Sequence, residues 1–133
     1  KEFYWLCRSA LSEGGMLVTQ AGSPYYAKAA FDCIEKTIQS AGFQTLPLHN
    51  QVVTLGEWGW VIGAKRHTSG LKEKLQEVQL GDLDTRWLTD EALRLISSFG
   101  KEVFTPTQDR IQVNQIHHPV LYKYYLSGRW DLY

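Results

Sequence analysis

Phe3, Leu6, Cys7 and Ala10 recur at the i, i+3, i+4, i+7 spacing of one helix face. Ser12-Glu13-Gly14-Gly15 ends that helix, the glycines freeing the backbone for a turn. Met16 to Thr19 is a short apolar run between turn signals. Its length predicts a strand buried on both faces, as in a parallel sheet. Gln20 closes the run with a polar group. In the loop Ala21-Gly22-Ser23-Pro24, Ser23 suits a helix N-cap and Pro24 a first helical position. The helix that follows carries Ala27, Ala30, Phe31, Ile34 and Ile38 on one face. Lys28, Asp32 and Lys36 stand four apart on the other, which predicts ion pairs in solvent. Gly42 stops it.

Phe43 to Leu55 reads as extended chain, and Pro47 either restricts it to a sheet edge or breaks it. Gly56-Glu57 is a turn signal, and Trp58 to Ala64 is a second strand, so the two predict an antiparallel hairpin. A helix between a parallel-type strand and a terminal antiparallel pair predicts an α/β fold, the C-terminal half of a doubly wound sheet. Leu71, Leu75 and Val78 suggest one helix within the charged stretch Lys65 to Asp84. Thr89 with Asp90 and Glu91 starts another, since acidic groups suit the positive end of the helix dipole, and Gly100 ends it. Lys101 to Gln115 is irregular. His118-Pro119 opens an aromatic, helical segment from Val120 to Tyr125. Half of a doubly wound sheet leaves a long edge, to be covered by a partner chain, a dimer contact or another part of the same protein.

Composition narrows the class. A chain of 133 residues, 44% hydrophobic and 21% charged, suits one globular domain with a single core. Its formal net charge of zero argues against a broad phosphate-binding surface, and so against a nucleic-acid partner. No apolar run approaches the ~18 residues of a bilayer span. Lys1 stands inside an amphipathic helix with no methionine before it, as expected for a piece of a longer protein. Cys7 and Cys33 both fall on apolar helix faces and read as reduced core thiols.

Most of the familiar chemical signatures are missing. The glycines of Gly56-Glu57-Trp58-Gly59-Trp60-Val61-Ile62-Gly63 lie inside a tryptophan-rich strand, not between strand and helix as phosphate binding requires. His49, His67, His117 and His118 have no metal-type spacing. There is no nucleophile elbow. Asp32, Glu35, Glu73 and Glu77 read as solvated helix-face carboxylates. Gln20 stands apart. Ligands of open α/β sheets bind outside the carboxyl ends of strands, and a glutamine there offers one acceptor and two donors. It serves either a polar ligand such as an amine or a loop-bracing hydrogen bond. It cannot serve as a general base.

Four stretches carry a family resemblance. Gly14 to Tyr26, "GGMLVTQAGSPYY", and Gly42 to Lys65, "GFQTLPLHNQVVTLGEWGWVIGAK", resemble the spermidine synthase family of polyamine aminopropyltransferases. "TRWLTDEAL" and "VNQIHHPVLYKYYLSGRW" are similar to the C-terminal extension of bacterial members that carry membrane helices ahead of the enzyme domain. The resemblance implies a methyltransferase-like Rossmann domain over residues 1–66 and a helical extension over 67–133. It implies transfer of an aminopropyl group from decarboxylated S-adenosylmethionine, a co-substrate, to an amine such as putrescine, with no prosthetic group. It implies a cytoplasmic domain of a bacterial inner-membrane protein, partnered by its own upstream half and by a second copy in a homodimer.

Residue by residue, Gln20 matches the family glutamine that contacts the substrate amine. Ser23, Pro24 and Tyr25 match the loop that follows. Glu57, Trp58 and Gly59 match the turn and strand bordering the acceptor cavity. Where soluble relatives place a tyrosine-proline pair, this chain has Val53-Thr54, which leaves the acceptor amine open. The family's catalytic aspartate, its donor loop and its ribose-binding acid all lie upstream of the matched part. These residues alone are therefore expected to be inactive. Two alternatives stand beside this reading: an S-adenosylmethionine-dependent methyltransferase of the same fold, and a non-catalytic polyamine-binding or interaction domain.

Overall fold

The computed structural model describes residues 1–65, 70–100 and 110–130. His67, Asp131, Tyr133 and most of the irregular stretch 101–115 lie outside the described residues. The elements run α1 (Glu2–Ala10), β1 (Met16–Gly22), α2 (Lys28–Ser40), β2 (Gln44–Val52), β3 (Gly56–Ala64), α3 (Leu71–Glu77), α4 (Asp90–Leu95) and α5 (Leu121–Leu126). The three strands form one sheet in the order β1-β3-β2. The predicted hairpin is present, with Leu48 opposite Trp60 and Asn50 opposite Trp58. Pro47 sits in β2, which is an outer strand, as its missing N–H requires.

β1 departs from expectation. It pairs antiparallel with β3, from Met16 opposite Ala64 to Gln20 opposite Trp60. It also alternates between covered and exposed residues rather than being buried on both faces. A short apolar run does not report which strand lies beside it, and among the described residues β1 has a neighbour on one edge alone. β1 and β2 run in the same direction, with β3 reversed between them.

The main core lies between α2 and one sheet face. Phe31, Ile34 and Ile38 close over Ala21 and Val61, with Tyr4, Leu17, Leu121 and Tyr125 packed around them. The close approach depends on Gly59, where a β-carbon would sit 2.4 Å from Phe31 Cε2 and 2.9 Å from the Gly22 carbonyl oxygen. On the other face, Leu46, Leu48 and Ile62 meet Leu71 and Leu75 of α3 and Ile96 just after α4. Helices thus cover parts of both faces. A third cluster joins Cys33 of α2 to Ile111 and Val120, and the Cys33 thiol donates to the Gln112 carbonyl at 3.3 Å.

Several local expectations shift. α1 is rotated from its predicted face: Tyr4 and Leu11 pack inward, whereas Phe3 and Leu6 are exposed. Cys7 is half-buried and Cys33 buried, and both thiols are free. α2 begins at Lys28, not at Pro24. The Ser23 hydroxyl accepts from the backbone N–H groups of Tyr25 and Tyr26, so it caps a turn that precedes the helix. Lys28 and Asp32 do pair, at 2.5 Å, but Asp32 is buried rather than solvated. Glu35 is also drawn in: burial raises its pKa, against the lowering effect of a 2.9 Å hydrogen bond donated by Thr45. Thr89 caps α4 by accepting from the Ala92 N–H, and that helix ends at Leu95, short of Gly100.

Candidate functional site

The C-terminal ends of β1 and β2 and the start of β3 lie at one end of the sheet, because Gly22 pairs with Gly59 and Val52 with Gly56. Gln20, Ser23, Tyr25, Glu57 and Trp58 all reach this end, but the sheet divides them. Side chains alternate along a strand. Gly59 faces α2, so Glu57 lies on the α2 side and Trp58 and Trp60 on the other. Gln20, opposite Trp60, shares the tryptophan face and is exposed.

On the α2 side, Glu57 meets a residue to which the sequence gave no role. The ring of His49 bridges it to the chain after α4: Nδ1 lies against Glu57 Oε1, and Nε2 is 2.6 Å from the Ser98 carbonyl oxygen. The backbone N–H of His49 donates to the Ile96 carbonyl at 2.8 Å, so the 96–98 segment also covers the outer edge of β2. Tyr25 stands edge-on to the His49 ring, with centroids 6.2 Å apart, and Phe99 packs against it at 4.4 Å. Tyr25 and Glu57 are therefore brought together through His49. A cavity of about 270 Å³ opens beside them, lined by His49, Glu57, Ala92 and Leu95. The missed histidine was legible from the hairpin register. It places His49 opposite Gly59, the residue two beyond Glu57 on the same face.

Ser23 is fully buried and its hydroxyl is engaged within the turn, so it shapes the loop from inside. On the tryptophan face, a groove of about 640 Å³ is lined by Asn50, Val52, Val53, Thr54, Trp60 and Trp87. The indole N–H of Trp58 is buried and lacks a hydrogen-bond partner among the described residues. The arrangement offers amide and carboxylate groups within an aromatic surround. That suits a small polar or cationic ligand, since aromatic faces attract cations. Among the described residues, no three His, Cys, Asp or Glu side chains group as metal ligands would.

The model of the spermine/spermidine synthase domain matches residues 1–75. The chain belongs to the spermine/spermidine synthase family. Polyamine aminopropyltransferase 2 of Aquifex aeolicus is 36% identical over 124 residues, covering 93% of this chain and 23% of that protein. The polyamine aminopropyltransferase of Leptospira interrogans is 30% identical, covering 97% of this chain and 24% of that protein. The enzyme of that name from Mycobacterium tuberculosis is 49% identical over 61 residues, 46% of this chain. The crystal structure of spermidine synthase from Thermotoga maritima superposes with a TM-score of 0.63 at 21% identity, over 77% of this chain and 36% of that one. That likeness bears on the fold, which is of the Rossmann-like spermidine synthase kind. The family chain described here spans about a quarter of the length of the first two relatives.

Proposed function

We propose that this chain is the C-terminal part of a polyamine aminopropyltransferase, with residues 1–66 completing the Rossmann-like catalytic domain and 67–133 forming its extension. The whole protein moves an aminopropyl group from decarboxylated S-adenosylmethionine to an amine such as putrescine. A neutral acceptor nitrogen attacks the carbon beside the sulfonium. The C–N bond forms as the C–S bond breaks, the electron pair returns to sulfur, and methylthioadenosine leaves. The acceptor nitrogen gives its proton to a carboxylate outside these residues. The observation that carries the reading is that Gln20, Tyr25, Glu57 and Trp58 all reach one end of the sheet, on its two faces, in a chain of this family. In it, Gln20 accepts from the acceptor amine, Glu57 holds the far ammonium, and the aromatic rings surround positive charge. Ser23 sets the loop that carries Tyr25.

Two further parts of the reading follow from the resemblance of the tail. The protein is the cytoplasmic domain of a bacterial inner-membrane protein, and its upstream half covers the open edge of β1. Without that half the residues described are inactive.

The test is a mass-spectrometric product assay on the complete natural protein, supplied with decarboxylated S-adenosylmethionine or S-adenosylmethionine and a panel of amines. Methylthioadenosine with an aminopropylated amine is the expected result. A methylated product moves the protein to methyl transfer on the same fold. Amine binding without turnover makes it a binding module.

A further inference from the structure

The end of β1 is held from outside the sheet. At Gly22 the chain enters left-handed backbone, with φ of 73°, just where the pairing register slips between Gln20 and Gly22. Glycine has the greatest backbone freedom of any residue, so a strand end that turns there is held more firmly when something beyond its pairing with Gly59 rests on it. The support comes from α5. A β-carbon at Gly22 would lie 3.1 Å from both Cε1 and Oη of Tyr125, so the phenol ring rests directly on the Gly22 backbone.

That ring is itself backed. Trp130 stacks on it with centroids 6.2 Å apart and planes 19° from parallel, and its indole N–H donates to the Tyr125 carbonyl at 2.7 Å. Next to Trp130, the backbone N–H of Arg129 donates to the Tyr26 carbonyl at 2.7 Å. The tail therefore grips the 22–26 turn at both ends: Gly22 through the Tyr125 ring, and Tyr26 through the Arg129 amide. Between these two points stands Tyr25, and two residues before the first stands Gln20. Burial raises the pKa of the Tyr125 phenol, which keeps the braced group uncharged.

We infer that Tyr125 is a positioning residue for amine binding: its ring fixes Gly22 and so aims Gln20 and Tyr25. The inference rests on the reading above that these two residues hold the amine. A displacement of about 1 Å at a substrate-positioning group can cost ~10²-fold in rate, so a loosened strand end is felt by the substrate it orients.

The test uses the complete natural protein, with putrescine as the probe amine, or whichever amine the parent turns over. Tyr125→Leu is expected to raise the amine KM by about tenfold while the KM for the aminopropyl donor stays within about twofold. Tyr125→Phe, which keeps the ring, should restore parental kinetics. Hydrogen exchange gives a readout that needs no turnover. Amides of residues 21–26 should exchange faster in Tyr125→Leu and at the parental rate in Tyr125→Phe. An unchanged amine KM, or equal rises in both KM values, overturns the inference. If the parent transfers no aminopropyl group, the functional reading fails and exchange alone judges the brace: unchanged protection at 21–26 overturns it. If Tyr125→Leu does not fold, Trp130→Leu takes its place, with the same shift expected in smaller measure and its absence counting against the brace.

Discussion

On one face of the sheet, α2 lays Phe31, Ile34 and Ile38 over Val61, and each of these side chains is nearly inaccessible to water. On the other, α3 and the end of α4 cover the hairpin but stop short of β1, where Met16 and Val18 remain 54% and 63% exposed. The outer side of α1 adds Phe3 and Leu6 to the same uncovered set. Phe3, Trp5 and Leu6 of α1 and Met16 and Val18 of β1 thus form one group of exposed apolar side chains, and β1 is an outer strand of the sheet; Val53, Trp87 and Leu126 are exposed elsewhere. Exposed apolar surface gathered in this way marks a place of contact. Its position beside Gln20 is where the proposed upstream half would complete both the sheet and the amine site.

This contrast can be broken or sharpened by substitution. The largest effect should come from the closed face. Phe31→Ala removes a ring that is 2% exposed and should cost about 3–5 kcal/mol in denaturant unfolding. A cost below about 1 kcal/mol would mean that α2 does not seal this face.

A smaller effect is expected at Glu35, which lies on α2 but against Thr45 of β2. Its folded pKa is raised, chiefly by burial, so the folded state binds its proton more tightly than the unfolded state does. Stability from this group is therefore greatest at acid pH. It declines as pH rises from the ordinary carboxylate value through the raised one. Glu35→Gln keeps the acceptor for Thr45 and should flatten that decline, as seen in melting temperature against pH. An unaltered profile would return Glu35 to the solvent. The smallest effect belongs to the open face. Val18→Ala in this 133-residue chain should change stability by no more than about 0.5 kcal/mol, and a larger cost would show that something already covers β1.

How far the sequence foretold this arrangement differs from element to element. Ala30, Phe31, Ile34 and Ile38 of α2 and the β2–β3 hairpin were legible, because a helical period or a glycine turn between two strands is local information. The inward side of α1 was not, since apolar residues lie around much of that helix and its neighbours decide which go inside. Ser23 was placed one turn out, because the hydroxyl that caps a helix also caps an isolated turn. Gln20 stood out by its place at a strand end, whereas Tyr25, Glu57 and Trp58 became candidates through family resemblance. Their division between two faces required the strand register. The brace at Gly22 could not be read locally at all, because Tyr125 comes from the far end of the chain.

The order β1-β3-β2 also dictates when the sheet can close. The middle strand is the last of the three to be synthesised. When β1 emerges from the ribosome, the strand it must pair with does not yet exist, and β2 cannot substitute for it in the final order. The β3-facing edge of β1, along Met16-Leu17-Val18, therefore waits until Ala64 has been made and the hairpin can present its outer edge. Non-local pairing of this kind is slow, and an unpaired apolar strand is prone to aggregate while it waits. For a chain of this topology, the time needed to synthesise β2 and β3 sets the interval over which that edge of a nascent copy is vulnerable to its neighbours.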